Sequence, residues 1–92
     1  MSDWFLVSAW FEKSDTQVHF EITNEDGEQY FFSLAANLVL EKVKKFNGNA
    51  LDAFYYAEED MLAMAVDIIE AEMLEPECAF EINNPMANKH FL

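Results

Sequence analysis

The spacing of apolar residues changes period several times along this chain. Thr16–Thr23 alternates with a period of two: Val18, Phe20 and Ile22 on one side, His19, Glu21 and Thr23 on the other. That is the pattern of a half-buried strand. Ahead of it, Trp4–Lys13 is rich in Trp, Phe and Val and also predicts a strand. Simple alternation gives it two faces, Phe5/Val7/Ala9/Phe11 and Trp4/Leu6/Ser8/Trp10. Both are largely apolar, so this strand is either covered on both sides or offers one face to a partner. Ser14-Asp15-Thr16 reads as a turn. Asn24-Glu25-Asp26-Gly27 is a second turn signal, and Glu28–Phe32 follows as a third strand. Together the three predict an antiparallel meander.

The period then becomes helical. Ser33 is placed to cap a helix over Leu34–Phe46, with Leu34, Leu38, Val39 and Val43 in one stripe. Lys42, Lys44 and Lys45 fall in its last turns, where the helix dipole favours cations. Asn49 caps a second helical region that continues to about Leu74, just before Pro76. Cys78–Ile82 alternates once more and predicts a final strand, with Cys78 facing inward as a small buried hydrophobe. Residues 84–92 read as a C-terminal tail. The expected fold is α+β: a small antiparallel sheet in β-β-β-α-α-β order, with two helical regions packed on one face.

Charge changes this picture. The chain has 92 residues, the length of one domain, with 52% hydrophobic and 15% aromatic residues and a net charge of −13. It is too apolar for a disordered segment and must fold against its own repulsion. The acids are unevenly placed. Residues 46–88 hold ten Asp and Glu and no Lys or Arg. On a helix of about 100° per residue, Asp52, Glu59, Asp60, Asp67 and Glu70 fall in one stripe opposite the apolar arc. Glu58 falls inside that arc and predicts a break near Tyr56–Glu58. Like charges one turn apart cost helix stability, and interspersed lysines would avoid that cost. A retained one-sign face points to a basic partner.

The expected partner is a basic, nucleic-acid-binding protein. Its binding residues are Asp52, Tyr56, Glu59, Asp60, Asp67 and Glu70, extended by Glu75 and Glu77. A continuous stripe from Asp52 to Glu70 would span about 27 Å. A B-DNA strand carries about eight phosphates over that length, against five carboxylates here. In size and charge the chain is similar to phage-encoded inhibitors of CRISPR or restriction complexes and to nuclease-immunity proteins. That likeness implies a DNA-mimic type of inhibitor. The alternative is an assembly module, a homodimer in its simplest form, joined through Trp4, Leu6 and Trp10.

Other chemistry finds little footing. The negative charge argues against direct contact with nucleic acid or an anionic membrane. The N-terminus lacks the basic flank of a signal peptide, and the single Cys78 allows no internal disulfide, which suits a cytoplasmic location. Asn24–Glu28 fails the calcium-loop pattern, because positions six and twelve are Gln29 and Ala35. His19 lies on the outer face of its strand beside Glu21 and reads as a passive surface residue, and His90 lies in the tail. No catalytic residue, metal site or cofactor is expected.

Overall fold

The structure, a computed structural model, describes residues 3–91. Strands β1 (Trp4–Glu12), β2 (Gln17–Asn24) and β3 (Gln29–Ala35) precede helices α1 (Ala36–Lys42), α2 (Ala50–Tyr56) and α3 (Glu58–Glu72). Strand β4 (Ala79–Ile82) and helix α4 (Asn84–His90) complete the chain. The sheet order is β1-β2-β3-β4, and the fold is α+β with the element order expected.

The sheet is mixed rather than wholly antiparallel. β1, β2 and β3 form the meander, but β4 runs parallel to β3, with Phe31 opposite Ala79 and Leu34 opposite Ile82. A parallel pair needs a crossover, and the helical segment between Ala36 and Glu72 supplies one. β3 is also longer than Glu28–Phe32. Phe32 and Leu34 keep the period of two and stay in register with β2 through Ala35. Ser33 therefore sits inside the strand, and α1 starts after Ala35 with no side-chain cap. At the other end, the segment read as a tail contains a helix. Asn83 accepts a hydrogen bond from the Met86 amide at 3.0 Å, Pro85 lies in the first turn, and Ala87 is fully buried. Leu92 lies outside the described residues.

The core lies between one sheet face and the helices. Val18, Phe20 and Ile22 are buried to within 1%. Phe20 packs on Phe54 of α2 at 4.8 Å between ring centroids and on Phe32 of β3 at 5.4 Å. Phe32 meets Phe80 of β4 edge-on at 6.2 Å. Four rings thus join one helix to three strands. The hairpin between β2 and β3 is tied by the buried Asn24. Its Oδ1 accepts from the amides of Asp26 (3.1 Å) and Glu28 (3.0 Å). Gly27 closes the turn at φ +82°, a conformation that favours glycine.

The faces of β1 differ from simple alternation. The register shifts between Leu6 and Ser8, so Val7 is an extra residue in a β-bulge. Before the bulge, Leu6 pairs with buried Ile22 and faces the helices; after it, Ala9 and Phe11 take that side, opposite Phe20 and Val18. Trp4 and Leu6 pack against the core, while Trp10 points away from it. The face Trp4/Leu6/Trp10 therefore does not exist as a surface. Trp10 stacks on His19 at 5.7 Å on the sheet face away from the helices, and Phe5 (51% exposed) pairs with Thr23 on the same side. Tyr55 of α2 reaches β1 and donates from its hydroxyl to the Ala9 carbonyl at 3.1 Å.

Two stability predictions follow from this packing. Phe54→Ala should cost about 3–5 kcal/mol in urea unfolding, whereas Phe5→Ala should cost under about 1 kcal/mol. Burial pushes the Tyr30 hydroxyl above its ordinary 10.0, with Glu28 and Cys78 adding to the rise. The folded state thus favours the neutral phenol. Its stabilisation is complete below pH 10.0 and is lost as pH rises through the folded-state value. The unfolding midpoint should fall across that window, and Tyr30→Phe should flatten the fall.

Candidate functional site

The acids are carried by two helices, not one. Asn49 caps α2 through its Oδ1, which accepts from the Asp52 amide at 2.8 Å. α2 ends at Tyr56, because Ala57 leaves helical geometry at φ −106° and ψ 29°. α3 restarts at Glu58. The stripe is therefore interrupted, with Asp52 on α2 and the other acids on α3. Asp52 lines a cleft of about 460 Å³ walled by Phe11, Ala36, Leu40 and Leu51. The break also accounts for Glu58. With Glu59 and Asp60 it occupies the first turn of α3, where the positive end of the dipole favours carboxylates.

From that turn onward, one solvent face of α3 carries Glu59, Asp60, Asp67 and Glu70, all exposed, around exposed Ala63. Met61, Met64, Ala65, Ile68 and Ile69 fill the buried side. The C-terminal acids have no helical rationale. The last turn holds no basic residue, and Glu70 and Glu72 lie at the negative end of the dipole. The helix stops at Met73, which takes a left-handed conformation at φ 53°. Glu75 and Glu77 are exposed in the following loop, and the Glu77 amide donates to the Gln29 carbonyl at 2.6 Å. Glu77 is held at φ 68°, a strained backbone for a residue with a Cβ.

The fold also brings lysines to the edge of this surface, which the sequence pattern did not indicate. α1 ends at Lys42 rather than at Phe46, so Lys44 and Lys45 lie in the linker. Lys42, Lys44 and Lys45 line a cleft of about 380 Å³ with Tyr56, Ala57, Asp60 and Phe91. Lys42 donates to the Asn88 side chain of α4. Tyr56 is 62% exposed and packs its ring on Phe46 at 5.2 Å. It thus stands between the lysines and the acids of α3.

The remaining chemical candidates stay apart. His19 pairs with Asp15 at 2.8 Å and stacks on Trp10. Cys78 is half-buried just before β4, and its carbonyl accepts from the Phe31 amide. Among the described residues, no three His, Cys, Asp or Glu side chains converge as a metal site, and Glu58, Glu59 and Asp60 do not do so. Among the described residues no helix is long and apolar enough to cross a membrane. Comparison with known proteins finds no matching family model, curated protein or solved structure.

The acids at the end of α3 work against the fold, and this is measurable. Glu70→Lys combined with Glu72→Lys should raise the melting temperature by about 2 °C or more, by relieving repulsion and complementing the dipole. Glu59→Gln at the opposite end should lower it. Calorimetry at low salt reads both.

Proposed function

We propose that this chain is a small acidic binding protein that docks on a basic, nucleic-acid-binding protein or complex and inhibits it. The observation that carries this reading is the exposed face of α3. Glu59, Asp60, Asp67 and Glu70 share it without a lysine among them. Among the described residues the one ion pair within 4.0 Å is that of His19 and Asp15, so these carboxylates remain available to a partner. The cost of Glu70 at a helix C-terminus supports a role outside stability. A face of this kind steers a basic partner and fixes its register.

Mimicry of nucleic acid is the specific form of the proposal. α3 is about 22 Å long, and a DNA strand carries about six phosphates over that distance. The helix face offers four carboxylates. Glu75 and Glu77 extend the row past Met73, while Asp52, on α2, is a separate contact beside an apolar cleft that suits the stem of a partner's Lys or Arg. The alternative reading, an assembly module, draws on the open sheet face. Phe5, Val7 and Trp10 are each 40% or more exposed there and at the neighbouring bulge. A monomer by light scattering at high micromolar concentration would remove its homodimer form.

The inhibitor reading is tested by capture from a cell lysate at rising salt, with duplex DNA as competitor. The captured protein should be basic, should be released steeply as salt rises, and should exchange against DNA. Glu59→Lys, Asp67→Lys and Glu70→Lys together should abolish capture while circular dichroism stays unchanged. Asp60 is left intact because it also lines the lysine cleft. Salt-insensitive capture, or capture that survives the triple reversal, would sink the mechanism.

A further inference from the structure

We propose that the cleft lined by Lys42, Lys44 and Lys45 binds a phosphate monoester carrying a planar ring, of the size of a mononucleotide. This site shares Asp60 with the acidic face but does not depend on the reading attached to that face. Its basis is an imbalance of pairing. The chain holds 18 acids and 5 lysines, so carboxylates are available to every ammonium. Yet among the described residues no lysine lies within 4.0 Å of a carboxylate. Three of the five lysines instead share one cleft, and Lys42 also donates to the Asn88 side chain of α4. Three ammonium groups around one cleft repel one another, and a bound anion relieves that repulsion.

The chemistry of the walls selects the ligand. Lys42, Lys44 and Lys45 set against Asp60 leave two net positive charges, 3 minus 1, in the cleft. A phosphate monoester carries about −1.5 to −2 at neutral pH and matches that balance. The ring of Tyr56, held by Phe46, lies on the same wall, and Phe91 lines the cleft as well. Exposed aromatic rings accept a base by stacking without demanding a particular one. The start of α3 adds no attraction of its own, because Glu58, Glu59 and Asp60 already fill its first turn. The volume of about 380 Å³ falls within the range of small-ligand sites. Asp60 is the one acid on the walls, and it can accept a hydrogen bond from a ribose hydroxyl or an exocyclic amine.

The test is a titration of the ¹⁵N-labelled chain with adenosine 5′-monophosphate, adenosine and inorganic phosphate in separate arms. The monophosphate should shift the amides of residues 42–46, 56–60 and 91 saturably at millimolar concentration. Adenosine and inorganic phosphate should each bind about tenfold more weakly or less, since each offers half of the recognised chemistry. Lys44→Gln with Lys45→Gln, two exposed residues outside any helix, should weaken the monophosphate about tenfold. Tyr56→Ala should weaken it similarly while Tyr56→Phe preserves binding. Absence of saturable shifts in the monophosphate arm, or unchanged affinity in the double lysine variant, overturns the proposal. So do shifts without ligand that grow with protein concentration and link the cleft to Asp67 and Glu70, which would mark a second copy as the occupant.

Discussion

The fold depends on the row of rings Phe54, Phe20, Phe32 and Phe80, which ties α2 to β2, β3 and β4. A chain of this length has a thin core, and its charge repulsion works against compaction. Large rings bury the most surface per residue, and offset or tilted contacts add to that burial. The four rings make this contribution at the centre of the sheet. The long acidic helix packs its Met61, Met64, Ile68 and Ile69 side into the same core. The acids can face outward as a block because the core does not need their face.

The two signs of charge are partly sorted in space. Glu59, Asp60, Asp67, Glu70, Glu75 and Glu77 lie along the outer side of α3 and the loop after it, while three of the five lysines gather where α1, the start of α3 and the end of α4 meet. Different physics explains different parts of the acidic run. Glu58, Glu59 and Asp60 follow from the start of a helix, and Glu70 and Glu72 do not follow from its end. This contrast within one helix distinguishes acids that stabilise the fold from acids that it merely tolerates.

Much of the fold was legible in the sequence wherever a pattern was local. The period of two in Val18, Phe20 and Ile22 marked β2, and Asn49 and Asn24 marked a cap and a turn at the right places. The misplacement of Glu58 on a continuous helix located the break at Ala57. Features set by tertiary structure were not legible. Val7 looks like any strand residue, yet as a bulge it exchanges the faces of everything after it. Phe32 and Leu34 suit a strand or a helix start equally, and pairing with β2 decides between them. The direction of β4 depends on where the helices return the chain. Residues 84–92 read as a tail although Asn83 caps α4 and Pro85 lies in its first turn, because seven residues are too few for a clear period. Of the acidic site, the face of α3 could be read and the separation of Asp52 could not. The lysine cleft could not be read, because residues 42–45, 56–60 and 91 meet only in the folded chain.

The bulge at Val7 has a consequence for how copies of this chain behave towards one another. β1 is an outer strand of nine residues with aromatic neighbours, the sort of edge on which foreign strands template themselves into cross-β stacks. The extra residue twists that edge and breaks its ladder in the middle, and the Tyr55 hydroxyl occupies the carbonyl of Ala9 two positions on. An incoming strand therefore finds no long regular run to extend. The chain can keep Phe5, Val7 and Trp10 at its surface without that edge becoming a seed for fibres.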